Sequence, residues 1–102
     1  MVRRVGRSWA DNILVLAARR NETPLTRFGF VVGRRVGNAV MRNRIKRRLR
    51  EAASEARVAE GWDLVVIARN RAADSDYHEL NESLCRLLRR ARVTDRRYEE
   101  TE

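Results

Sequence analysis

Eight of the eighteen residues from Gly33 to Arg50 are Arg or Lys, and none is acidic. Such a block repels itself unless water or a polyanion lies against it. Its chemistry is phosphate neutralisation: each phosphate bound releases counterions, so affinity falls by roughly 0.7–0.9 log units per phosphate per log unit of salt. Arg42, Arg44, Lys46, Arg47 and Arg50 could each make such a contact. Asn43 stands among them, and its amide both donates and accepts. It suits a base edge, a ribose hydroxyl or neighbouring backbone, a plain surface position being the alternative. Of the 23 basic residues only Lys46 is lysine. Arginine's planar donor fork matches phosphates and base edges and stacks on rings, which fits RNA.

Catalytic constellations are harder to find. The single histidine, His78, has no motif partner, and Ser54, Ser75 and Ser83 lack a nucleophile-elbow context. The carboxylates show no metal-ligand spacing, and no Gly-Lys-Ser/Thr follows Gly29, Gly33 and Gly37. The chain alone is expected to catalyse nothing. One cysteine, Cys85, excludes an internal disulfide and a cysteine-based zinc site; beside Leu84 and Leu87 it is expected to be a buried small hydrophobe. No apolar run reaches a membrane span, and Met1 to Gly6 shows no signal-peptide core, so a cytoplasmic protein is expected.

The basic block needs a scaffold, and its own periodicity supplies part of one. Gly37-Asn38 breaks the chain, with Asn38 the natural N-cap. From Ala39 to about Val58, the apolar positions Met41, Ile45, Leu49, Ala52 and Ala56 recur at helical spacing. One stripe then faces protein while the cations face outward. Before it, Asn12–Arg19 and Arg27 to about Arg34 read as strands, joined by a loop with the only proline, Pro24. The first is apolar on both faces, so both should be covered. The second carries Phe28, Phe30 and Val32 on one face and Gly29 and Gly33 on the other, where close approach or a bend would place glycine. The two strands are expected to pair as an antiparallel hairpin. After the helix, Trp62–Arg69 reads as a central strand buried on both faces, parallel to the second. A last helix, capped by Ser75 or Asp74, aligns Tyr77, Leu80, Leu84, Leu87, Leu88 and Ala91. Its acids lie early and its arginines late, as the helix dipole prefers.

At 102 residues and 43% hydrophobic, the chain supports one domain, with a core over about 8–92 and a frayed tail over 96–102. The net charge of +9 is unevenly placed. Residues 1–50 carry a net +12 and residues 51–102 a net −3. The first half builds the polyanion-facing surface and the second half is mainly scaffold.

The run Val36-Gly37-Asn38-Ala39-Val40, then Arg42-Asn43-Arg44, Ile45 and Lys46-Arg47, resembles the signature of the bacterial ribonuclease P protein component. Trp62–Arg69 resembles that family's next strand and Leu80–Ala91 its closing helix. The resemblance covers about residues 6–92. It implies an α/β (α+β) two-layer sandwich of about four strands, a left-handed βαβ crossover and a C-terminal helix. The N-terminal helix usual in the family would be largely missing. It implies that Arg42, Asn43, Arg44, Lys46, Arg47 and Arg50 contact the catalytic RNA, with Arg34, Arg35 and Asn38 in support. It further implies a cleft for the single-stranded 5′ leader of precursor tRNA, in which Val15 and Ala17 stand where an aromatic is common. Hydrolysis would belong to the RNA and its Mg2+, with the protein monomeric apart from RNA. A structural RNA-binding protein of ribosomal type uses similar basic helices. A DNA binder would need a helix-turn-helix partner, which the sequence lacks.

Overall fold

The computed structural model describes residues 6–94. In chain order they form β1 (Arg7–Ala10), β2 (Leu14–Arg20), β3 (Arg27–Val32), α1 (Ala39–Glu55), β4 (Trp62–Ala68) and α2 (Tyr77–Ala91), with short 3-10 turns at Arg34–Val36 and Asn70–Asp74. The strands make one sheet in the order β1-β2-β4-β3. β3 and β4 are parallel, as expected from the helical crossover between them.

The expected hairpin does not form. β4 lies between β2 and β3 and runs antiparallel to β2. The segment joining β2 to β3 is fastened to the entry of β4 instead. Asn21 donates from its backbone to the Gly61 carbonyl at 2.9 Å and from its amide to Asp63 at 3.0 Å. The Thr26 hydroxyl donates to the Ala59 carbonyl at 2.6 Å and accepts from Trp62 N at 3.2 Å. These bonds carry the loop across β4. Gly61 beneath it adopts φ +90°, and a side chain there would also lie 3.2 Å from the Thr23 carbonyl.

β1 was not expected as a strand. It is four residues long and pairs from Arg7↔Ala18 to Ala10↔Val15. The turn that returns it is made by Asp11, whose Oδ1 accepts from Ile13 N at 2.8 Å and Leu14 N at 2.9 Å. Such a side-chain turn carries no glycine or proline mark.

Both helices cover one face of the sheet. Leu14, Leu16, Val32, Leu64 and Val66 share a single core with Ile45 and Leu49 of α1 and with Leu80, Leu84, Leu87 and Leu88 of α2. Each such leucine contributes roughly 1.5–3 kcal/mol by leaving water. The expectation that β2 and β4 are covered on both sides is corrected: Val15, Ala17, Val65 and Ile67, on the other face, stay half-buried.

Caps set the helix limits. The Asn38 side chain accepts from Met41 N at 2.9 Å, as expected. A Cβ on Gly37 would lie 2.6 Å from Met41 Sδ and 3.1 Å from its Cβ, so the first turn of α1 closes on bare backbone. α1 stops at Glu55, short of Val58, whose backbone instead bridges to Thr94. The cap of α2 is Asp76 rather than Ser75 or Asp74, because Glu79 completes a reciprocal capping box with it. The expectations of a largely missing N-terminal helix and of a frayed tail over 96–102 fall outside the described residues.

Candidate nucleic-acid interface

Burial of Ile45, Leu49, Ala52 and Ala53 fixes the orientation of α1. At about 100° per residue, the opposite arc carries Lys46, Arg50, Asn43, Arg47 and Arg44. Asn43, Arg44, Arg47 and Arg50 are exposed and Lys46 is half-buried. Among the described residues, none of the five has an ion pair or a side-chain hydrogen bond. Glu51 shares this arc but pairs with none of its cations, so their charge is not tied up in ion pairs, and the amide of Asn43 is uncommitted.

Two cations flank the buried stripe. Arg48 donates to the Ser75 carbonyl at 3.4 Å, a contact with the scaffold. Arg42 is half-buried, and its Nε is buried with no hydrogen-bond partner among the described residues. A buried donor of this kind costs free energy until something accepts from it. Arg34 and Arg35 extend the basic surface from the 3-10 turn before α1, both exposed around the buried anchor Val36. Asn38 is spent as the cap, so its support of the surface is structural.

The open sheet face gathers the second candidate region. Register places Val15, Ala17 and Arg19 of β2 beside Ile67, Val65 and Asp63 of β4, and these beside Val31, Gly29 and Arg27 of β3. A recess of about 430 Å³ on this side includes Ala17, Arg19, Asp63 and Val65, with Gly6 and Ser8 from the β1 end. Ala17 is brought into it and Val15 is not. The phenyl rings of Phe28 and Phe30 stack on each other at 5.8 Å, in register with Leu64 and Val66 on the helix side. No aromatic side chain of β2, β4 or β3 thus lies on the open face. Gly29 needs no close approach, since a Cβ there would meet only Val65 at 3.9 Å.

Sequence reasoning missed Asp63. It accepts from Asn21, from Arg27 Nε at 3.1 Å and from Arg19 at 3.4 Å. The Asn21 and Arg27 hydrogen bonds hold its carboxyl down to about 2. Only the strand order brings these four residues together, so no local signal could have found them. Cys85 is half-buried rather than buried, and burial pushes its thiol up, away from reactivity at neutral pH.

A model of the ribonuclease P family matches residues 1–92. The chain belongs to the ribonuclease P protein family. It is 45% identical over 103 residues to the ribonuclease P protein component of Roseiflexus castenholzii, covering 98% of this chain and 84% of that one. It is 39% identical over 92 residues to that of Natranaerobius thermophilus, covering 88% and 80%. The fold matches the ribonuclease P protein of Staphylococcus aureus with a TM-score of 0.79 at 34% identity, over 88% of this chain and 84% of that one. It matches that of Thermotoga maritima with a TM-score of 0.77 at 33% identity, over 83% of each chain. The chain acts in tRNA 5′ maturation as part of the ribonuclease P holoenzyme, with the catalytic RNA and precursor tRNA as partners and catalysis in the RNA. The family's chemistry uses Mg2+ through the RNA. Among the described residues there is no group of three His, Cys, Asp or Glu that could hold a metal ion. No helix among them is long and apolar enough to cross a membrane.

Proposed function

We propose that residues 1–102 form a single RNA-binding domain in which α1 is the surface for the catalytic RNA. Arg44, Lys46, Arg47 and Arg50 neutralise backbone phosphates, and Asn43 takes a base edge or ribose hydroxyl among them. Arg42 delivers its desolvated Nε to an RNA acceptor, and Arg34 and Arg35 extend the contact past the Asn38 cap. The observation that carries this reading is the unpaired cationic arc of α1, set opposite its buried stripe.

The open sheet face is the reading's second part. It receives the 5′ leader, with Val15 and Ala17 giving an apolar floor and the arginines at its end giving charge. Without aromatic platforms, the leader is held by its backbone more than by base stacking. Mg2+ for the hydrolysis sits mainly on the RNA, and the protein lowers the concentration needed by offsetting phosphate repulsion.

The test is reconstitution with ribonuclease P RNA and precursor tRNA at low Mg2+. The protein should stimulate 5′ maturation over RNA alone, and Arg44→Ala should weaken RNA binding while leaving thermal unfolding unchanged. No stimulation by the unaltered protein would sink the reading.

A further inference from the structure

A second basic site lies off α1, where the strands leave the sheet. Val32 and Ala68 pair at the ends of the parallel strands β3 and β4, so the chain emerges at one edge in both cases. Arg34 and Arg35 follow the first strand; Arg69, Asn70 and Arg71 follow the second. The two 3-10 turns that carry them pack together. Beside them, a recess of about 340 Å³ is lined by Asn12, Arg69, Asn70 and Arg71.

We propose that this recess holds a backbone phosphate of an RNA strand continuous with the one on α1. The inference rests on the RNA-binding function above and adds a contact outside the helix.

Three observations support it. The walls are ordered before any ligand arrives. Arg69 donates from its backbone to the Ile13 carbonyl at 2.8 Å and from Nη1 to the Asp11 carbonyl at 3.0 Å. The Arg71 carbonyl accepts from the Ser75 hydroxyl at 3.1 Å. Binding then forfeits little backbone freedom, and the side-chain freedom lost is mainly that of Arg71.

The charge is also uncancelled. Arg71 has no side-chain partner among the described residues, and Arg69 bonds to a carbonyl oxygen rather than a carboxylate. The Asp11 carboxylate is occupied by Ser83 at 2.6 Å, by Arg86 at 2.8 Å and by two backbone N–H groups. Asp74, in the same 3-10 turn, pairs with neither arginine.

The lining is rich in donors as well. Two guanidinium forks and two amides suit a phosphodiester and an adjacent ribose hydroxyl, the guanidinium in bidentate fashion. An apolar ligand would leave those donors unsatisfied. Continuity with Arg34 and Arg35 favours a polymer over a free anion.

The test uses Arg71→Ala and Arg71→Glu in the full chain, assembled with ribonuclease P RNA. Affinity for that RNA is measured across salt, and holoenzyme affinity is measured for tRNA with and without its leader. Arg71→Ala should weaken binding several-fold and lower the salt slope by roughly 0.7–0.9, one phosphate's share. Arg71→Glu should weaken it further, and neither should change thermal stability. A loss in binding the ribonuclease P RNA supports the site. A loss confined to leader-bearing tRNA would put the leader in the recess instead and overturn the continuity with α1. If Arg44→Ala weakens binding and both Arg71 variants match the unaltered protein in every arm, the recess binds no RNA. A competing loss of inorganic phosphate binding, without any loss of RNA binding, would make it a free-anion site and overturn the proposal. If the unaltered protein fails to stimulate the RNA at all, the reading of α1 as the RNA surface is wrong and this site falls with it.

Discussion

On α1, Arg44, Arg47 and Arg50 are exposed and make no ion pair or side-chain hydrogen bond among the described residues. On α2, Arg86 reaches the Asp11 carboxylate at 2.8 Å and Arg90 the Ala10 carbonyl at 3.2 Å. Around β4, Arg19 and Arg27 share Asp63, and the Arg20 guanidinium lies 5.1 Å from the centre of the Trp62 ring. All are exposed arginines of one basic chain, yet only the first group keeps its charge for a partner. What separates the groups is the placement of acids. The run from Gly33 to Arg50 has none, and Glu51 and Glu55 at the end of α1 make no ion pair with its arginines, Glu55 accepting from the Tyr77 hydroxyl instead. Charge composition therefore says that a polyanion is bound, and the ion-pair pattern says where.

The largest effect that could break this comparison comes from α1. Arg44→Ala with Arg47→Ala removes two unpaired cations and no intramolecular contact. RNA affinity should fall by roughly 10–100-fold near physiological salt, with the slope against log salt lower by roughly 1.4–1.8 for two phosphates. Stability should stay within about 0.5 kcal/mol. Titration of labelled ribonuclease P RNA, beside urea unfolding of the free protein, checks both. A matching loss of stability would mean that these side chains hold the fold after all.

Arg86→Ala should behave the opposite way and more weakly. Its pair with Asp11 is half-exposed on the arginine side, so solvent screening limits its worth to roughly 0.5–1 kcal/mol. Unfolding in urea should register that loss, and RNA affinity should not change. Asp11 keeps its turn N–H groups and the buried Ser83 hydroxyl, which prevents collapse of the β1–β2 turn. An RNA-binding defect as large as that of the α1 variant would erase the distinction between the two regions.

The same division explains what could be read from the chain alone. The α1 surface was legible because a helix sets its own geometry: the spacing of Ile45, Leu49 and Ala52 already decides where Arg44 and Arg47 point. Asn38 was legible as a cap for the same local reason. The strand order was not, because the placement of β4 between β2 and β3 depends on Asn21 and Thr26 bonding to residues 33 to 42 positions away. β1 was hidden by a turn built from one aspartate side chain. With the order unknown, the open face of the sheet and the cluster at Asp63 could not be assembled, and β2 looked covered on both sides. Sequence reading thus reached the part of the site carried by one element and missed the parts carried by several.

The smallest effect sharpens the comparison through pH. Asp63 is held down to about 2 by Asn21 and Arg27, with Arg19 adding to them. An unfolded aspartate titrates near 3.9. The folded state therefore binds fewer protons than the unfolded state in that interval. The stability Asp63 contributes is complete above about pH 4 and is lost as pH falls towards 2. Asp63→Asn keeps the size and much of the hydrogen bonding but has no charge to titrate. It should be slightly less stable than the unaltered protein at pH 6, and its stability should decline less between pH 4 and pH 2.5. Because Arg19 and Arg27 are released at the same time, RNA affinity should hold or rise, whereas it falls when α1 loses an arginine. Urea midpoints at the three pH values and one RNA titration at neutral pH read both halves of this expectation. Equal acid sensitivity in variant and parent would mean that the Asp63 cluster is not a charged latch. A drop in RNA affinity would mean that its arginines must be held in place by Asp63 to meet the leader.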